Sequence, residues 1–118
     1  MTPEQFVDGL RTNCRDAAVS GCLQSFQAPP GRRPSPALVE LSDWYKSLSS
    51  DNQAKVAAAM HQAADATLFS VLCVIDGLSA IEPYGEKSEF KLSATRGGVD
   101  SVIAPGSEFL HDLLRSEP

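Results

Sequence analysis

The sequence lacks the short motifs that mark most nucleotide-binding and hydrolytic enzymes. Its eight glycines form no GxGxxG pattern, and none of them precedes a lysine as a phosphate-binding loop requires. Such loops bind phosphate through backbone N–H groups, so the sequence gives no sign of a nucleotide site. No serine or cysteine stands in a recognisable nucleophile motif, and we predict no catalytic residue.

Cysteine is sparse, and its three positions, Cys14, Cys22 and Cys73, form no CxxC pair. Cys14 and Cys22 would lie roughly 12 Å apart along one helix, which is too far for a disulfide bond. A bridge from either of them to Cys73 stays open. An odd number of cysteines without a secretory segment favours reduced thiols, and we expect them to be mostly buried.

Histidine occurs at two positions, each near a carboxylate. His61 stands four residues before Asp65, and His111 directly precedes Asp112, so a metal site with these four ligands is conceivable. The spacing matches no zinc signature, and a surface hydrogen bond with a solvated or capping histidine is the simpler interpretation. We expect no metal and no cofactor.

Long apolar runs and an excess of positive charge are also missing. The N-terminus has no basic segment before an apolar run, so the sequence predicts no signal peptide. The most apolar stretch, Ala66–Ile75, is shorter than the roughly 20 residues of a membrane span. A net charge of -5 disfavours nucleic acid and anionic membrane surfaces. We predict a cytoplasmic protein that binds neither.

The strongest pattern that is present runs from Ser50 to Gly77. Ser50 and Gln53 have the spacing of a helix start, and apolar residues then recur every three or four positions. Gly77 is a stop signal because glycine adopts the left-handed conformation without a steric penalty. Nearly every side chain after position 66 is apolar, so we predict a core helix whose C-terminal half is buried.

Helical patterns also precede this stretch. Thr2, Pro3 and Gln5 predict the start of a first helix that ends near Gln24. Four prolines exclude regular structure from the segment QAPPGRRPSP at positions 27–36.

A second helix is predicted from Pro36 to about Ser47, with Ser35 as its N-cap. The short connection that follows predicts an antiparallel hairpin with the central helix. Adjacent helical residues point about 100° apart, so Trp44 and Tyr45 cannot both face the core. We predict Trp44 inside and Tyr45 at the margin or in an interface.

The period changes to two after Glu89, which predicts a β-strand. Arg96-Gly97-Gly98 is a turn, and the β-branched residues of Val99–Ala104 predict a returning strand. Ser107 then caps a short final helix.

The predicted fold class is therefore α+β. We expect a single domain over residues 1–118 with three long helices, a β-hairpin at about 89–104 and a short C-terminal helix. The alternative is an all-α bundle in which residues 90–104 are irregular.

The runs PPGRRPSPALVELSDWYKSL, VIDGLSAIE and FLHDLL resemble a group of small uncharacterised bacterial cytoplasmic proteins, a domain of unknown function. The resemblance covers most of the chain. It implies a bacterial, cytoplasmic protein with one compact domain and transfers no activity and no site.

Candidate binding residues are few. Arg32 and Arg33 supply paired guanidinium groups in a proline-stiffened loop and could bind a phosphate or carboxylate, although pairing with a neighbouring helix is the simpler interpretation. Tyr45 is a candidate for an interface.

Negative charge gathers in the second half of the chain. Up to Ser50 the numbers of basic and acidic residues are equal. After Ser50 the chain has five Lys and Arg residues but ten Asp and Glu residues. Glu82, Glu86 and Glu89 could belong to an acidic face that steers a basic partner, and a solubilising surface is the simpler interpretation.

The sequence favours a non-enzymatic protein-interaction module, with an acidic immunity-type inhibitor and a homodimeric structural protein as its two forms. This preference rests on the absence of catalytic motifs and not on the presence of a binding motif. A small-molecule sensor and an enzyme with an unassigned site are the alternatives. An open edge of the predicted hairpin offers a template for self-association.

Overall fold

A computed structural model describes residues 1–116 and confirms the predicted α+β class. The elements in chain order are α1 (Pro3–Leu10), a π-helical segment (Arg11–Asp16), α2 (Ala17–Gln27), α3 (Pro36–Ser47), α4 (Ser50–Ile75), β1 (Leu92–Arg96), β2 (Val99–Ala104) and α5 (Leu110–Arg115). The first three segments are continuous and correspond to the first long helix of the prediction.

The chain divides into two compact units. The first unit contains Met1–Thr12 and the chain from Ala66 onward, and the second contains Asn13–Asp65. The long helix α4 contributes its first sixteen residues to the second unit and its remainder to the first. The prediction of one domain over residues 1–118 stays a prediction.

The start of α1 has the predicted capping box. Thr2 Oγ1 accepts a hydrogen bond from the Gln5 backbone N–H at 3.1 Å, and Gln5 Oε1 accepts one from the Thr2 N–H at 3.0 Å. The helical run ends at Gln27 rather than near Gln24, because Ala28 is the first extended residue. Residues that precede proline avoid the α region, and Pro29 follows here.

The central helix begins and ends close to its predicted limits. Its side-chain cap is Ser49 and not Ser50, since Ser49 Oγ accepts from the Asn52 N–H at 3.2 Å. Ile75 is its last residue, and Gly77 adopts a φ of 82°, which confirms the predicted stop.

The predicted burial of the C-terminal half of α4 is confirmed only in part, since Leu68, Phe69 and Ile75 are half-buried against the core. Leu72 is fully buried, whereas its neighbour Val71 is 49% exposed, and Leu72 is the one buried residue of the helix. Among residues 1–116, α4 is also the one helix long and apolar enough for a membrane crossing, and 6% of its most apolar window is buried. Length and composition do not separate such a helix from the core helix of a soluble protein.

The core of the first unit is built from α1, the end of α4, the hairpin and α5. Val7, Leu72, Ile103, Leu110 and Leu114 are each no more than 2% exposed and form one cluster. The strands pair antiparallel, and the hairpin turns at Gly97-Gly98 as predicted.

The second unit is held by α2 and α3. Ser42 Oγ donates a hydrogen bond to the Phe26 carbonyl at 2.6 Å, and the rings of Phe26 and Tyr45 lie 5.6 Å apart. The partner of α3 is therefore α2, and the predicted hairpin of α3 with α4 is wrong.

The predicted orientation of the aromatic pair is also wrong. Tyr45 is 6% exposed, whereas Trp44 is 50% exposed. Because Tyr45 packs against α2, the 100° step along the helix turns Trp44 away from that contact. This packing removes Tyr45 from the candidate interface residues.

The cysteines are free, as predicted, but most of them are not buried. Cys14 and Cys22 are exposed, and Cys73 is half-buried. The two exposed thiols lie on the π-helical segment and on α2.

Candidate functional site

The junction between α4 and α5 is organised by Asp76. Its side chain is 3% exposed and accepts hydrogen bonds from the backbone N–H groups of Leu110 and His111 at 3.0 and 2.9 Å. These are N-terminal amides of α5, so a carboxylate from elsewhere in the chain caps this helix. The prediction that Ser107 caps it is wrong, because α5 begins three residues later.

His111 completes this junction. Its Nδ1 lies 2.7 Å from Asp76 Oδ2, and its Nε2 lies 3.3 Å from Asp112 Oδ1. The imidazole stacks on Phe109 and meets Phe69 edge-on, with ring centroids 5.3 and 5.6 Å away. His111 is thus a packed, hydrogen-bonded side chain rather than a solvated one. No local sequence pattern indicates its pairing with Asp76, which lies 35 positions away.

The loop after α4 is closed by Glu82. Its carboxylate accepts from the Ser88 N–H at 2.7 Å and from Ser88 Oγ at 2.8 Å, and the Lys87 ammonium donates to the Glu82 carbonyl. The backbone and hydroxyl donors of Ser88 hold the pKa of Glu82 below its ordinary value of 4.5. Tyr84, 88% exposed, lies within the closed loop.

A cleft of about 500 Å³ lies between the end of α4, the loop and Pro105. Its apolar wall consists of Ile75, Phe90 and Pro105, and its charged rim consists of Lys87, Glu89 and Lys91. The cleft contains one of the predicted acidic residues, Glu89. Sequence reasoning missed it because its walls come from three separated parts of the chain.

A polar cluster in the second unit is centred on Arg15, whose side chain is 5% exposed. Its Nη1 lies 2.9 Å from Asp65 Oδ1, and its Nε lies 2.9 Å from Asp16 Oδ1. His61 Nε2 approaches the same Asp16 oxygen at 3.5 Å. The guanidinium of Arg15 is the largest cause of a lowered pKa at Asp16, to which His61 adds.

This cluster replaces the pairing expected from the sequence. Asp65 binds Arg15 and not His61, and His61 instead faces Asp16. Within residues 1–116, no three of the His, Cys, Asp and Glu side chains are arranged to hold a metal ion. The bond from Arg15 to Asp65 and the approach of His61 to Asp16 make the cluster a structural link between the π-helical segment and α4.

An apolar surface covers part of the second unit. Leu41 and Trp44, three positions apart on α3, are 47% and 50% exposed. A shallow apolar cleft of about 210 Å³ lies elsewhere on this unit, between α2 and α4; it is lined by Ala18, Val19, Cys22, Met60, Ala63 and Ala64.

The remaining predicted candidates are scattered. Arg32 and Arg33 are exposed in the loop between α2 and α3, and neither forms an ion pair with a described residue. Glu86 and Glu89 are exposed near Glu82, but the bonds to Ser88 already occupy the Glu82 carboxylate. Glu86 and Glu89 are therefore the two carboxylates of this stretch that remain available to a partner.

No family model, curated protein or solved structure matches this chain. The resemblance to small bacterial proteins stays a prediction.

Proposed function

We propose that the protein is a non-enzymatic interaction module that forms a homodimer through the outer face of α3. The observation that carries the proposal is the half-exposed pair Leu41 and Trp44. Tryptophan is one of the residues enriched among the side chains that dominate binding energy at protein interfaces. The chain has one tryptophan and places it on the surface.

The packing of the second unit supports this proposal. Tyr45 is the one buried hydrophobic side chain among its described residues, and the other two buried residues are Arg15 and Ser42. A unit of this size ordinarily depends on burial of apolar side chains, because conformational entropy opposes its folding. A second copy on α3 would supply apolar contacts that the unit lacks.

A lipid partner fits the second unit less well than a protein partner. The helix α4 has the length and composition of a membrane span, but Lys55 and Asp65 lie on it, and Asp65 holds Arg15. Charged side chains near the centre of a bilayer are costly. The proposal therefore keeps the predictions of a cytoplasmic location, no membrane and no nucleic acid.

A basic protein is the partner in the second form of the proposal, an acidic immunity-type inhibitor. Glu86 and Glu89 are exposed, and neither accepts a hydrogen bond from another residue within 1–116. The net charge of the chain is -5. An acidic surface raises the rate of encounter with a basic protein, and salt suppresses that gain.

Sedimentation velocity tests the homodimer. The wild type should sediment as a dimer at micromolar concentration, and Leu41→Asp should shift it to a monomer because a carboxylate cannot be buried in the apolar contact. Val102→Asp is the matched control, since Val102 is 60% exposed but lies on the hairpin.

The two variants also separate two surfaces. Loss of the dimer in Val102→Asp alone would place self-association on the hairpin edge instead of α3. A wild-type monomer across the whole concentration range would contradict the homodimer.

A further inference from the structure

The cleft beside Asp76 holds charged groups that the packing of the first unit does not use. Lys91 immediately precedes β1, is exposed, and forms no ion pair with a described residue. Lys87 donates to the Glu82 carbonyl and has further N–H donors available. Both lysines lie on the rim of the same cleft.

Two carboxylates also line the cleft, and one of them is already engaged by hydrogen bonds. Asp76 lines the cleft, but its two oxygens already accept from two backbone amides and the His111 ring. Glu89 is then the one carboxylate among the described lining residues without a hydrogen bond, and it lines the cleft together with the two lysines. The formal charges of Lys87, Lys91, Asp76 and Glu89 sum to zero, and the two ammonium groups are the cationic donors at the cleft that remain available to a ligand.

Part of the cleft wall is apolar. Ile75, Phe90 and Pro105 line the cleft, and Phe90 is 40% exposed there. The cleft volume of about 500 Å³ lies within the range of roughly 300–1,000 Å³ that small-molecule sites occupy. A cavity of about 150 Å³ shares Lys87 and Phe90 with it and adds the side chains of Val74 and Ile81.

We propose that this cleft binds a small organic anion with an apolar body, namely an alkyl or arylalkyl carboxylate. The ligand carboxylate lies at Lys91 and Lys87, and its body packs against Ile75, Phe90 and Pro105. Charge-assisted hydrogen bonds from the ammonium groups fix the polar end, and apolar burial supplies the rest of the affinity. This site goes beyond the interaction surface on α3 and does not depend on it.

Isothermal titration calorimetry with octanoate tests the proposal, and 3-phenylpropionate distinguishes an arylalkyl from an alkyl body. One of the two should bind saturably at a single site. Octan-1-ol, the uncharged analogue of the alkyl probe, should bind at least about fivefold more weakly than octanoate, the factor expected for losing an exposed charge pair. Binding of the alcohol as tight as that of octanoate would overturn the anion site.

Three variants assign the binding to the cleft. Lys91→Gln should weaken binding about fivefold, whereas Lys91→Arg should retain it because the charge remains. Lys55→Gln is the matched control, since Lys55 is an exposed lysine on α4 outside the cleft. Equal affinities for Lys91→Gln and Lys55→Gln would overturn the proposal.

A further variant fixes the sign of the ligand charge. Glu89→Gln removes the open carboxylate beside the two lysines, so an anion should bind about twofold more tightly. A cationic or zwitterionic ligand would instead lose affinity, and weaker binding of octanoate to this variant would contradict the proposed arrangement. Thermal unfolding of each variant checks that these exposed substitutions leave the fold intact.

Discussion

Asp76 shows how much a single residue contributes to this fold. It directly follows the central helix α4, yet its carboxylate caps α5 and accepts a hydrogen bond at His111, more than thirty positions away. The sequence pattern around Asp76-Gly77 predicts only the local stop. The long-range role could not be predicted, because nothing local to Asp76 indicates which helix start would come within hydrogen-bond distance.

We predict that Asp76→Ala destabilises the first unit by about 3 kcal/mol, because it leaves two buried amides and an imidazole without their acceptor. Asp112→Ala is the control. Asp112 also approaches His111, but its side chain is 67% exposed, so its loss should cost less than about 1 kcal/mol. Urea unfolding measures both values, and equal midpoints for the two variants would contradict the role given to Asp76.

Glu82 gives a second prediction at this scale. Because its folded pKa is lowered by Ser88, its bonds contribute stability above the unfolded value of 4.5. That contribution is lost as the pH falls through the lower, folded pKa. An NMR titration of the Glu82 carboxyl should show the lowered pKa, and Ser88→Ala should raise it only partly because the backbone N–H remains. A Glu82 pKa at or above 4.5 in the wild type would contradict the closed loop.

The elements themselves follow closely from sequence. Thr2, Ser35 and Gly77 mark boundaries that depend on neighbours within four residues, and each is observed at its predicted place. The predicted orientation of Trp44 and Tyr45 is wrong because it depends on contacts between helices rather than on neighbouring residues. Both residues fit an apolar helix face, and the packing of α3 on α2 selects between them.

The burial of α4 can be tested by substitution at the adjacent residues Val71 and Leu72. Leu72→Ala should cost about 2–5 kcal/mol because it leaves a cavity in the core of the first unit. Val71→Ala should change stability by less than about 0.5 kcal/mol, since Val71 is half exposed and alanine favours the helix. Thermal or urea unfolding measures both, and similar losses would show that Val71 is also buried.

At the scale of the whole molecule, the candidate sites lie where sequence patterns are least informative. The charge count identifies an acidic second half of the chain. The carboxylate of Glu82, however, accepts hydrogen bonds from Ser88, and that of Asp76 accepts them from the start of α5. Lys87 and Lys91 belong to no sequence motif, and the fold places both at one cleft beside Ile75 and Pro105. Exposed apolar residues cannot be separated from core residues by periodicity alone, since both follow the helical repeat.

The fluorescence of Trp44 tests the proposed homodimer most directly, because this residue is the one tryptophan in the chain. Its indole is half exposed in the single chain, so iodide should quench its emission readily in dilute solution. As the concentration rises into the micromolar range, burial against a second copy should shift the emission to shorter wavelength and reduce quenching. Leu41→Asp should abolish both changes. Emission and quenching that stay constant over a concentration range in which the wild type sediments as a dimer would contradict the α3 interface.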